Sequence, residues 1–181
     1  ALPISPVDCE EEYTNPTITK GWQHCLTLPR VLHMREDKIY QEPIKELEKL
    51  RKNKRIDIIK KEGSLEGFEL EEILLTNIDD DDFKMILDNN IKLSYSKSDK
   101  IFSLEFLNKT GAGRRKRVVL LERLHSLRLY RDYSSVEVFL NQGEEVFSTR
   151  YYPEEEKCTI DIKCKMAELT IWELGEMRYG K

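Results

Sequence analysis

The feature that most constrains the fold is an alternating stretch that leads into a tight turn. Residues 135–140 read Ser-Val-Glu-Val-Phe-Leu, so Val136, Val138 and Leu140 alternate with Ser135, Glu137 and Phe139. This period is typical of a β-strand with two differently solvated faces. Asn141-Gln142-Gly143 follows, and Gly143 can adopt the positive φ that a short hairpin loop with a bulge requires. The pattern predicts a β-hairpin whose second strand runs over residues 146–152.

Other short alternating stretches predict that the whole chain is mostly β. Asp88-Asn89-Asn90 separates two of them, and asparagine tolerates the left-handed conformation of a two-residue hairpin loop. Frequent short strands with turn residues between them are typical of sandwiches and barrels. We therefore expect an all-β fold, a two-sheet antiparallel β-sandwich of the jelly-roll, concanavalin-like kind. Its further predicted strands are residues 83–87, 91–95, 102–106, 159–165 and 169–174.

One short helix is predicted near the N-terminal third, from Pro43 to about Asn53. Proline is favoured at the first helical position, where its missing N–H costs nothing. Ile44, Leu47 and Leu50 form an apolar stripe at a spacing of three. Glu46 and Glu48 lie early in the segment and Lys49, Arg51 and Lys52 lie late, as the helix dipole favours. We expect this stripe to pack on a sheet.

The length and the first residues bound the domain organisation. A chain of 181 residues fits one domain that encloses a sizeable core. Residues 1–20 show no sustained period and the chain begins at Ala1 without an initiator methionine, so we expect a fragment whose first element has been cut. No apolar run approaches the roughly 20 residues that span a bilayer, and no membrane partner is expected.

The cysteines indicate a reduced protein. Cys9, Cys25, Cys158 and Cys164 lack the spacing of a metal site. The last two share one predicted strand and would be about 20 Å apart, which exceeds the roughly 6 Å that a disulfide allows. Cys164 is expected on the inward face as a small buried thiol. Reduced thiols favour a cytoplasmic location.

Two acidic runs and three histidines are interpreted as structural. Asp8 with Glu10–Glu12 reads as a polar surface loop, and Asp79–Asp82 reads as a solvated turn. The second run lacks the alternating oxygen ligands and the turn glycine of an EF-hand loop. The histidines are isolated from one another in the sequence, so neither a metal ion nor a cofactor is expected. They are His24, His33 and His125.

Four adjacent cations at residues 114–117 follow the pliable segment Gly111-Ala112-Gly113. A nucleic-acid site usually combines a basic balance with interleaved aromatic residues, whereas this chain has a net charge of −4. We therefore expect an exposed loop and the start of a strand, and no nucleic-acid partner.

Asp132 and Glu137 are predicted to be structural carboxylates. Their spacing of five puts them on opposite faces of an extended strand, so they do not converge on one substrate. We expect Asp132 to accept hydrogen bonds from the N–H groups of Ser134 and Ser135 in an Asx-type turn. Glu137 is expected to pair with a cation across the hairpin, such as Arg150.

Two blocks of the sequence resemble a known enzyme family. Residues 131–153 are similar to a strand motif, roughly D-x-S-S-x-E-V-F-x-N-x-G, found near the C-terminus of glycoside hydrolase family 32. This family comprises the β-fructosidases, which include invertases and sucrose-6-phosphate hydrolases. Residues 21–30 and 38–43 resemble the segment by which that family leaves its catalytic propeller and enters a C-terminal β-sandwich. The blocks occur in the family's order, and the resemblance covers most of the chain from about Gly21.

The resemblance implies a division of labour between two domains. The family's catalytic aspartates and glutamate lie in W-x-N-D-P-N, R-D-P and E-C motifs of the propeller, and these motifs do not occur here. A retaining glycosidase needs two carboxyl groups roughly 5 Å apart, so no catalytic residue is predicted on this chain. Residues 1–30 are expected to be a remnant of, and linker from, the propeller, and residues 31–181 the sandwich.

The interdomain contact is expected in the linker, where an exposed apolar patch should be found. Its predicted residues are Trp22, Leu26, Leu28, Pro29 and Arg30. The expected partner is the upstream propeller, and a homodimer contact is left open.

Two functions remain open at this point. The first is a non-catalytic C-terminal domain of a β-fructofuranosidase, either a sucrose or a sucrose-6-phosphate hydrolase, which stabilises the catalytic propeller. The alternative is a free-standing, lectin-like carbohydrate-binding module for fructans. Such a module needs an exposed aromatic platform, for which Tyr130, Tyr151 and Tyr152 are the candidates.

Overall fold

The computed structural model describes residues 15–111, 113–153 and 158–176, and β-strands dominate them. The predicted all-β sandwich is confirmed. The acidic loop predicted at Asp8 and Glu10–Glu12 lies outside the described residues, as do Cys9 and Ala112. The strands are β1 (Arg30–Arg35), β2 (Lys38–Pro43), β3 (Arg51–Glu66), β4 (Glu71–Thr76), β5 (Phe83–Leu87), β6 (Ile91–Ser96), β7 (Ile101–Phe106), β8 (Lys116–Leu120), β9 (Leu127–Asp132), β10 (Ser135–Leu140), β11 (Glu145–Arg150) and β12 (Thr159–Leu174).

The two layers of the sandwich are joined by one long strand. All described pairings are antiparallel, and the first layer has the order β12-β4-β9-β10-β11, whereas the second has the order β12-β5-β6-β7-β8. Strand β12 pairs with β5 through Ile160–Lys163 and with β4 through Glu168–Glu173. Strand β3 runs along its other edge. The opposite side, between β8 and β11, carries no strand pairing among the described residues.

The core lies between the inner faces of the two layers. Phe102 on β7 and Phe147 on β11 meet across it, with ring centres 5.6 Å apart, which is within the usual range for an aromatic pair. Strand β12 contributes Ile160, Ile162 and Cys164, all buried on one face. The thiol at position 164 is therefore a core residue, as predicted. Cys25 and Cys158 are also free thiols.

The predicted hairpins are present with the turn conformations that their sequences favour. Asp88 and Asn89 between β5 and β6 have φ values of 49° and 54°. The turn between β10 and β11 has φ values of 49°, 60° and 87° at Asn141, Gln142 and Gly143. These left-handed residues reverse the chain in the sense that matches strand twist.

The predicted helix is present but shorter than expected. It is a 3₁₀ helix over Lys45–Leu50, and the next residue, Arg51, already begins β3. A 3₁₀ helix has three residues per turn, so the spacing of Ile44, Leu47 and Leu50 forms a straight stripe on it. Leu47 is buried and its two neighbours pack beside it. Two other short 3₁₀ helices span Pro16–Lys20 and Lys109–Gly111.

The C-terminal strands predicted at residues 159–165 and 169–174 are one continuous strand, β12. A register shift between Cys164 and Met166 marks a β-bulge, which re-phases the alternation so that Ala167 again faces the core. A bulge bends a strand and increases its twist. The break in the alternating pattern is thus a bend inside β12 and not a chain reversal.

Strand β3 was not predicted from the sequence. It is 16 residues long, and only Ile59 on it is buried. Its charged residues obscure the period of two, and it is held mainly by its backbone pairing with β12. No helix among the described residues has the length and the apolar character that a membrane span requires.

One end of the sandwich is closed by a buried charged cluster. Arg131 on β9 donates to Glu71 on β4 and, at 2.7 Å, to Asp88 in the β5–β6 turn. Asp88 also accepts hydrogen bonds from Tyr151 at 2.5 Å and from the N–H of Thr159 at 2.6 Å. The cluster ties both layers and the start of β12 together. Because all three charges are almost fully buried, each depends on the others for stabilisation.

The absence of a side chain at Gly67 provides room for this cluster. A Cβ at this position would lie 2.4 Å from Nη2 of Arg131 and 2.7 Å from Oε2 of Glu71. Burial is the main reason why the pKa of Glu71 is raised above its ordinary value of 4.5, and Arg131 only partly offsets it.

We expect Arg131→Met to lower the free energy of unfolding by about 3–5 kcal/mol, because it leaves two buried carboxylates without their cation. The control is Arg128→Met on the same strand, since Arg128 is partly exposed and lies 3.6 Å from Glu72. Its loss should be about 1 kcal/mol or less. Urea unfolding measures both values, and equal losses would contradict the importance of the buried cluster.

Glu71 should also make stability depend on pH. With its folded pKa above 4.5, the folded state keeps this proton to a higher pH than the unfolded state, so its contribution to stability declines as pH rises through that interval. The decline is about 1.4 kcal/mol for each unit of pKa difference. Glu71→Gln should remove this slope. The test is urea unfolding of both proteins from pH 4.5 upward, and parallel pH profiles would refute it.

Candidate functional site

The outer face of the first layer is covered by residues 22–50, which we call the N-terminal strap. The strap contains an extended segment, the β1–β2 hairpin and the 3₁₀ helix Lys45–Leu50. An apolar cluster holds it in place, with Leu47, Tyr130 and Phe139 buried at its centre. The Tyr130 and Phe139 rings meet edge to face at 6.1 Å. Both faces of β10 are therefore buried, whereas the alternation in its sequence predicted two differently solvated faces.

Glu137 is the main polar anchor of the strap. Its carboxylate accepts hydrogen bonds from the N–H of Leu28 at 2.5 Å, from Ser148 Oγ at 3.1 Å and from the guanidinium of Arg30. Only 6% of its side chain is exposed. The predicted pairing of Glu137 with Arg150 is wrong, because register places Arg150 opposite Ser135 and the strap supplies a closer cation.

Arg30 connects three elements of the protein. It begins β1, donates to Gln41 Oε1 on β2 at 2.9 Å, and forms its ion pair with Glu137 on β10. Its guanidinium also lies 5.2 Å from the centre of the Phe139 ring. A planar, always charged guanidinium suits such simultaneous pairing and stacking. Arg30 therefore fixes where the β1–β2 hairpin leaves the sandwich.

The turn of the predicted hairpin forms the second attachment point. The N–H of Gln41 donates to the carbonyl of Gly143 at 2.9 Å, and Lys38 lies 3.1 Å from Glu144 and 2.8 Å from Glu145. A Cβ at residue 143 would lie 2.1 Å from the carbonyl oxygen of Gln41. Gly143 is thus required both for its positive φ and for this close approach of β2.

Arg150 supports the beginning of the strap. It is fully buried and donates to the Tyr152 hydroxyl through Nε at 2.9 Å and Nη2 at 2.7 Å. Its guanidinium lies 4.9 Å from the centre of the Trp22 ring and 5.1 Å from that of Tyr152. Cation–π contacts of this kind stabilise by about 0.5–2 kcal/mol each. Trp22 is held over Arg150 while 43% of its surface stays exposed.

An ion pair with a buried glutamate fastens the other end of the strap. Arg51, the first residue after it, donates to both carboxylate oxygens of Glu72 at 2.7 Å. This guanidinium also stacks over Trp172 at 4.2 Å. The geometry is bidentate, the stronger form of an arginine–carboxylate pair. Burial and the negative charge of Glu72 raise the pKa of Tyr130 beside it.

The strap and the 3₁₀ helix Pro16–Lys20 before it carry many exposed apolar side chains. Of the fourteen large apolar side chains that are exposed among the described residues, seven fall within residues 18–39. Every residue of β1 after Arg30 is exposed. Exposed apolar side chains that gather in one region are typical of contact sites for a partner. We call these seven side chains the exposed apolar surface: Ile18, Trp22, Leu26, Val31, Leu32, Met34 and Ile39.

The predicted contact residues divide into two groups in this arrangement. Trp22 and Leu26 are exposed, whereas Leu28, Pro29 and Arg30 are half-buried against the sandwich. Sequence reasoning missed the contribution of the β1–β2 hairpin. The hairpin could have been predicted from two stretches that carry apolar residues and flank Glu36-Asp37. These two residues form the turn, with φ values of 47° and 64°.

The remaining sequence candidates have local roles. Asp132 accepts a hydrogen bond from the N–H of Tyr133 at 2.7 Å, so the predicted bonds from Ser134 and Ser135 are wrong. In the acidic run, Asp80 pairs with Lys97 at 3.2 Å. Within residues 15–111, 113–153 and 158–176, no group of three potential metal-ligating His, Cys, Asp or Glu residues comes together. The described side chains of the strap therefore offer a surface for contact.

We expect Gly143→Ala to loosen the strap. Gly21→Ala is the matched control, because Gly21 has a similar φ of 83° but no atom within 4 Å of the added Cβ. The control should lower the free energy of unfolding by about 1 kcal/mol, because alanine is strained at this positive φ. Gly143→Ala should lower it by about 1–3 kcal/mol more, since the backbone of Gln41 must move. Urea unfolding gives the costs, and amide exchange at Gln41 reports detachment. Unchanged exchange in Gly143→Ala would argue against this attachment.

Comparison with known proteins identifies relatives of the domain. The sequence profile described as "Glycosyl hydrolases family 32 C terminal" matches residues 46–173. A sucrose-6-phosphate hydrolase of Bacillus subtilis is 36% identical over 150 residues, which are 80% of this chain and 31% of the relative. One of Staphylococcus xylosus is 31% identical over 156 residues, 77% of this chain and 32% of the relative. The chain thus spans about a third of the length of these relatives.

Solved structures share the fold. A sucrose-6-phosphate hydrolase from Lactobacillus gasseri superposes with a TM-score of 0.78 at 18% identity, covering 92% of this chain and 37% of that one. The fructan 1-exohydrolase IIa of Cichorium intybus superposes with a TM-score of 0.69 at 16% identity, and the match covers 96% of this chain and 44% of that one. The likeness at these identities concerns the fold. From the profile match and the two relatives, the chain belongs to the C-terminal domain family of the family 32 glycosyl hydrolases.

Proposed function

We propose that this chain is a non-catalytic β-sandwich that docks on an upstream catalytic propeller of a β-fructofuranosidase and stabilises it. The observation that carries the proposal is the exposed apolar surface of the strap. Single exposed apolar residues are common on protein surfaces, whereas a group of them is typical of a contact site. Interfaces between domains bury such groups. Residues 1–30 would then be the linker, and the sandwich proper would begin at residue 31.

The internal contacts of the strap support docking by a rigid surface. Glu137, Arg30 and Arg150 hold the strap on the sandwich before any partner arrives. A surface that is already ordered loses little conformational entropy on association. Trp22, with one face on Arg150 and part of its surface free, is suited to be the central aromatic anchor of such an interface.

For the substrate of the parent enzyme we propose sucrose or sucrose 6-phosphate. Curated relatives named sucrose-6-phosphate hydrolase support the phosphorylated sugar, and a relative from Escherichia coli named raffinose invertase supports unphosphorylated sugars as well. The free thiols Cys25, Cys158 and Cys164 support a cytoplasmic location for the enzyme. A homodimer contact through the sandwich is a further part of this proposal.

The alternative of a fructan-binding module has less support. Tyr130 and Tyr151 are buried, with 5% and 0% of their surfaces exposed, and Tyr152 is half-buried against Arg150. These three rings do not form an open platform on which a sugar ring can stack. Calorimetric titration of the isolated chain with sucrose, levan and inulin separates the two functions, since binding would favour the module.

The docking function is tested in the full-length parent enzyme with Leu26→Lys and Met34→Lys. Each lysine would place a charge in the proposed interface, so we expect the half-life of fructose release at elevated temperature to fall about 5-fold, the effect of roughly 1 kcal/mol. The initial rate at moderate temperature should change little.

The matched control is Leu120→Lys, since Leu120 on β8 is 75% exposed, close to the 68% of Leu26 and 71% of Met34. It lies outside the exposed apolar surface and should leave the half-life unchanged. Equal effects of all three variants would refute docking through this surface. Release of fructose by the 181-residue chain alone would refute its non-catalytic role.

A further inference from the structure

Positive charge is concentrated in residues 114–117 and, more extensively, in residues 51–61. In the first stretch the predicted loop and strand start are confirmed, because β8 begins at Lys116. The prediction of exposure is wrong there for Arg114, of which only 6% is exposed. The second stretch carries six cations and one acid and forms the first part of β3. We call residues 51–61 the basic rim.

The basic rim projects beyond the core of the sandwich. One edge of β3 pairs with β12, and its other edge carries no strand pairing among the described residues. Residues 52–58 are all exposed, and because side chains of a strand alternate between its two faces, both faces are open to solvent there. In β8, by contrast, Val119 packs against the core.

Most of the positive charge of the rim is not offset by its acids. Arg51 is paired with Glu72, as described above, and the other five cations are exposed. Asp57, the acid of the stretch, accepts a hydrogen bond from the N–H of Ile58 at 2.7 Å. On β12, Glu173 accepts a hydrogen bond from Asn53. The five remaining cations are Lys52, Lys54, Arg55, Lys60 and Lys61.

Two isoleucines project from the middle of the rim. Ile56 is 68% exposed and Ile58 is 55% exposed. They lie opposite Thr170 and Glu168 of β12, and their spacing of two places them on the same face of the strand. Cations precede and follow this pair along the strand. The rim therefore presents hydrocarbon at its centre and positive charge at both ends.

An aromatic ring lies beside the basic end of the rim. Trp172 on β12 is half-buried, with the guanidinium of Arg51 at 4.2 Å and the ammonium of Lys54 at 5.6 Å from the centre of its ring. Tryptophan and long cationic side chains are both favoured at the boundary between water and lipid.

We propose that the basic rim binds the surface of a bilayer that contains anionic phospholipids. Ile56 and Ile58 enter the region beneath the headgroups, and the lysines keep their ammonium groups at the anionic headgroups. A cluster of four or more cations is attracted to such a surface. The sequence prediction of no membrane partner concerned segments that span a bilayer, and surface binding requires none.

A bilayer suits this rim better than a nucleic acid or an acidic protein. Sites for single-stranded nucleic acid present aromatic rings on which bases stack, whereas the side chains that project here are isoleucines. A protein partner must match the shape of the surface closely, whereas fluid lipid adapts to a projecting strand. The rim is separate from the exposed apolar surface of residues 18–39, so this inference does not rest on the docking function.

Sedimentation of the 181-residue chain with lipid vesicles at low ionic strength tests the proposal. One set of vesicles contains phosphatidylcholine alone, and the other contains an equal mixture of phosphatidylcholine and phosphatidylglycerol. The partition coefficient should be at least about tenfold higher for the anionic vesicles. Equal partition into both sets, or no partition into either, would overturn the proposal.

The charges of the rim are tested by the double variant Lys60→Gln with Lys61→Gln. The partition coefficient should fall about 20-fold, because each lysine near an anionic surface contributes roughly fivefold. The control is Arg115→Gln with Lys116→Gln, which removes two adjacent exposed cations at the other basic stretch and should change the coefficient less than about twofold. Equal losses in both double variants would show general charge attraction and refute the site.

The hydrocarbon contact is tested by Ile58→Ser, which should lower the partition coefficient about fivefold. Val118→Ser is the matched control, because Val118 is also branched at Cβ, is 59% exposed and follows the cations of residues 114–117. Leu26→Ser, on the exposed apolar surface, should likewise leave partition unchanged. If Leu26→Ser lowers partition and Ile58→Ser does not, vesicles bind through the strap and the proposal is wrong.

Fluorescence locates the contact independently of these variants. The chain has two tryptophans, so Trp172 is the remaining one in Trp22→Phe. Its emission should move to shorter wavelength when anionic vesicles are added, because the ring beside Lys54 enters a less polar environment. Unchanged emission from a vesicle-bound protein would place the contact elsewhere and contradict binding through the rim.

Discussion

The fold depends on hydrogen bonding between strand β12 and both layers of the sandwich. One edge of this strand pairs first with β5 and then with β4, and the bulge between Cys164 and Met166 separates the two pairings. Because a bulge bends a strand, one strand can form hydrogen bonds with strands of two facing sheets. The core residues of β12 then contact both layers, so that packing of one layer is coupled to packing of the other.

Three arginines mark the places where separate parts of the chain are joined. Arg131 links the two layers at one end of the core, Arg30 links the strap to β10, and Arg51 links the strap's last residues to β4. Each arginine forms an ion pair with a buried carboxylate. Removal of one partner from such a pair costs far more than removal of an exposed pair, so these three junctions specify one arrangement of the chain.

Much of the fold follows from local sequence patterns, and the remaining parts could not be predicted for two reasons. The hairpin turns at Asp88 and Asn141 were predictable because left-handed residues occur there in alternating stretches. Strand β3 was not, because its side chains face solvent and leave no apolar period. The strap's contacts were also out of reach: Glu137 and Arg30 are 107 residues apart, and only the folded chain brings them together. Sequence reasoning identified Trp22 and Leu26 but not the hairpin that extends their surface.

The composition of β3 has a consequence for behaviour in solution. Its outer edge offers a long row of backbone groups to any extended chain, and such edges promote intermolecular strand pairing and aggregation. Nine of its sixteen residues are charged, with several lysines and arginines among them. A second molecule that approached in register would bring like charges together and bury them. The same residues that hid this strand from sequence analysis therefore protect the protein from ordered self-association into fibres.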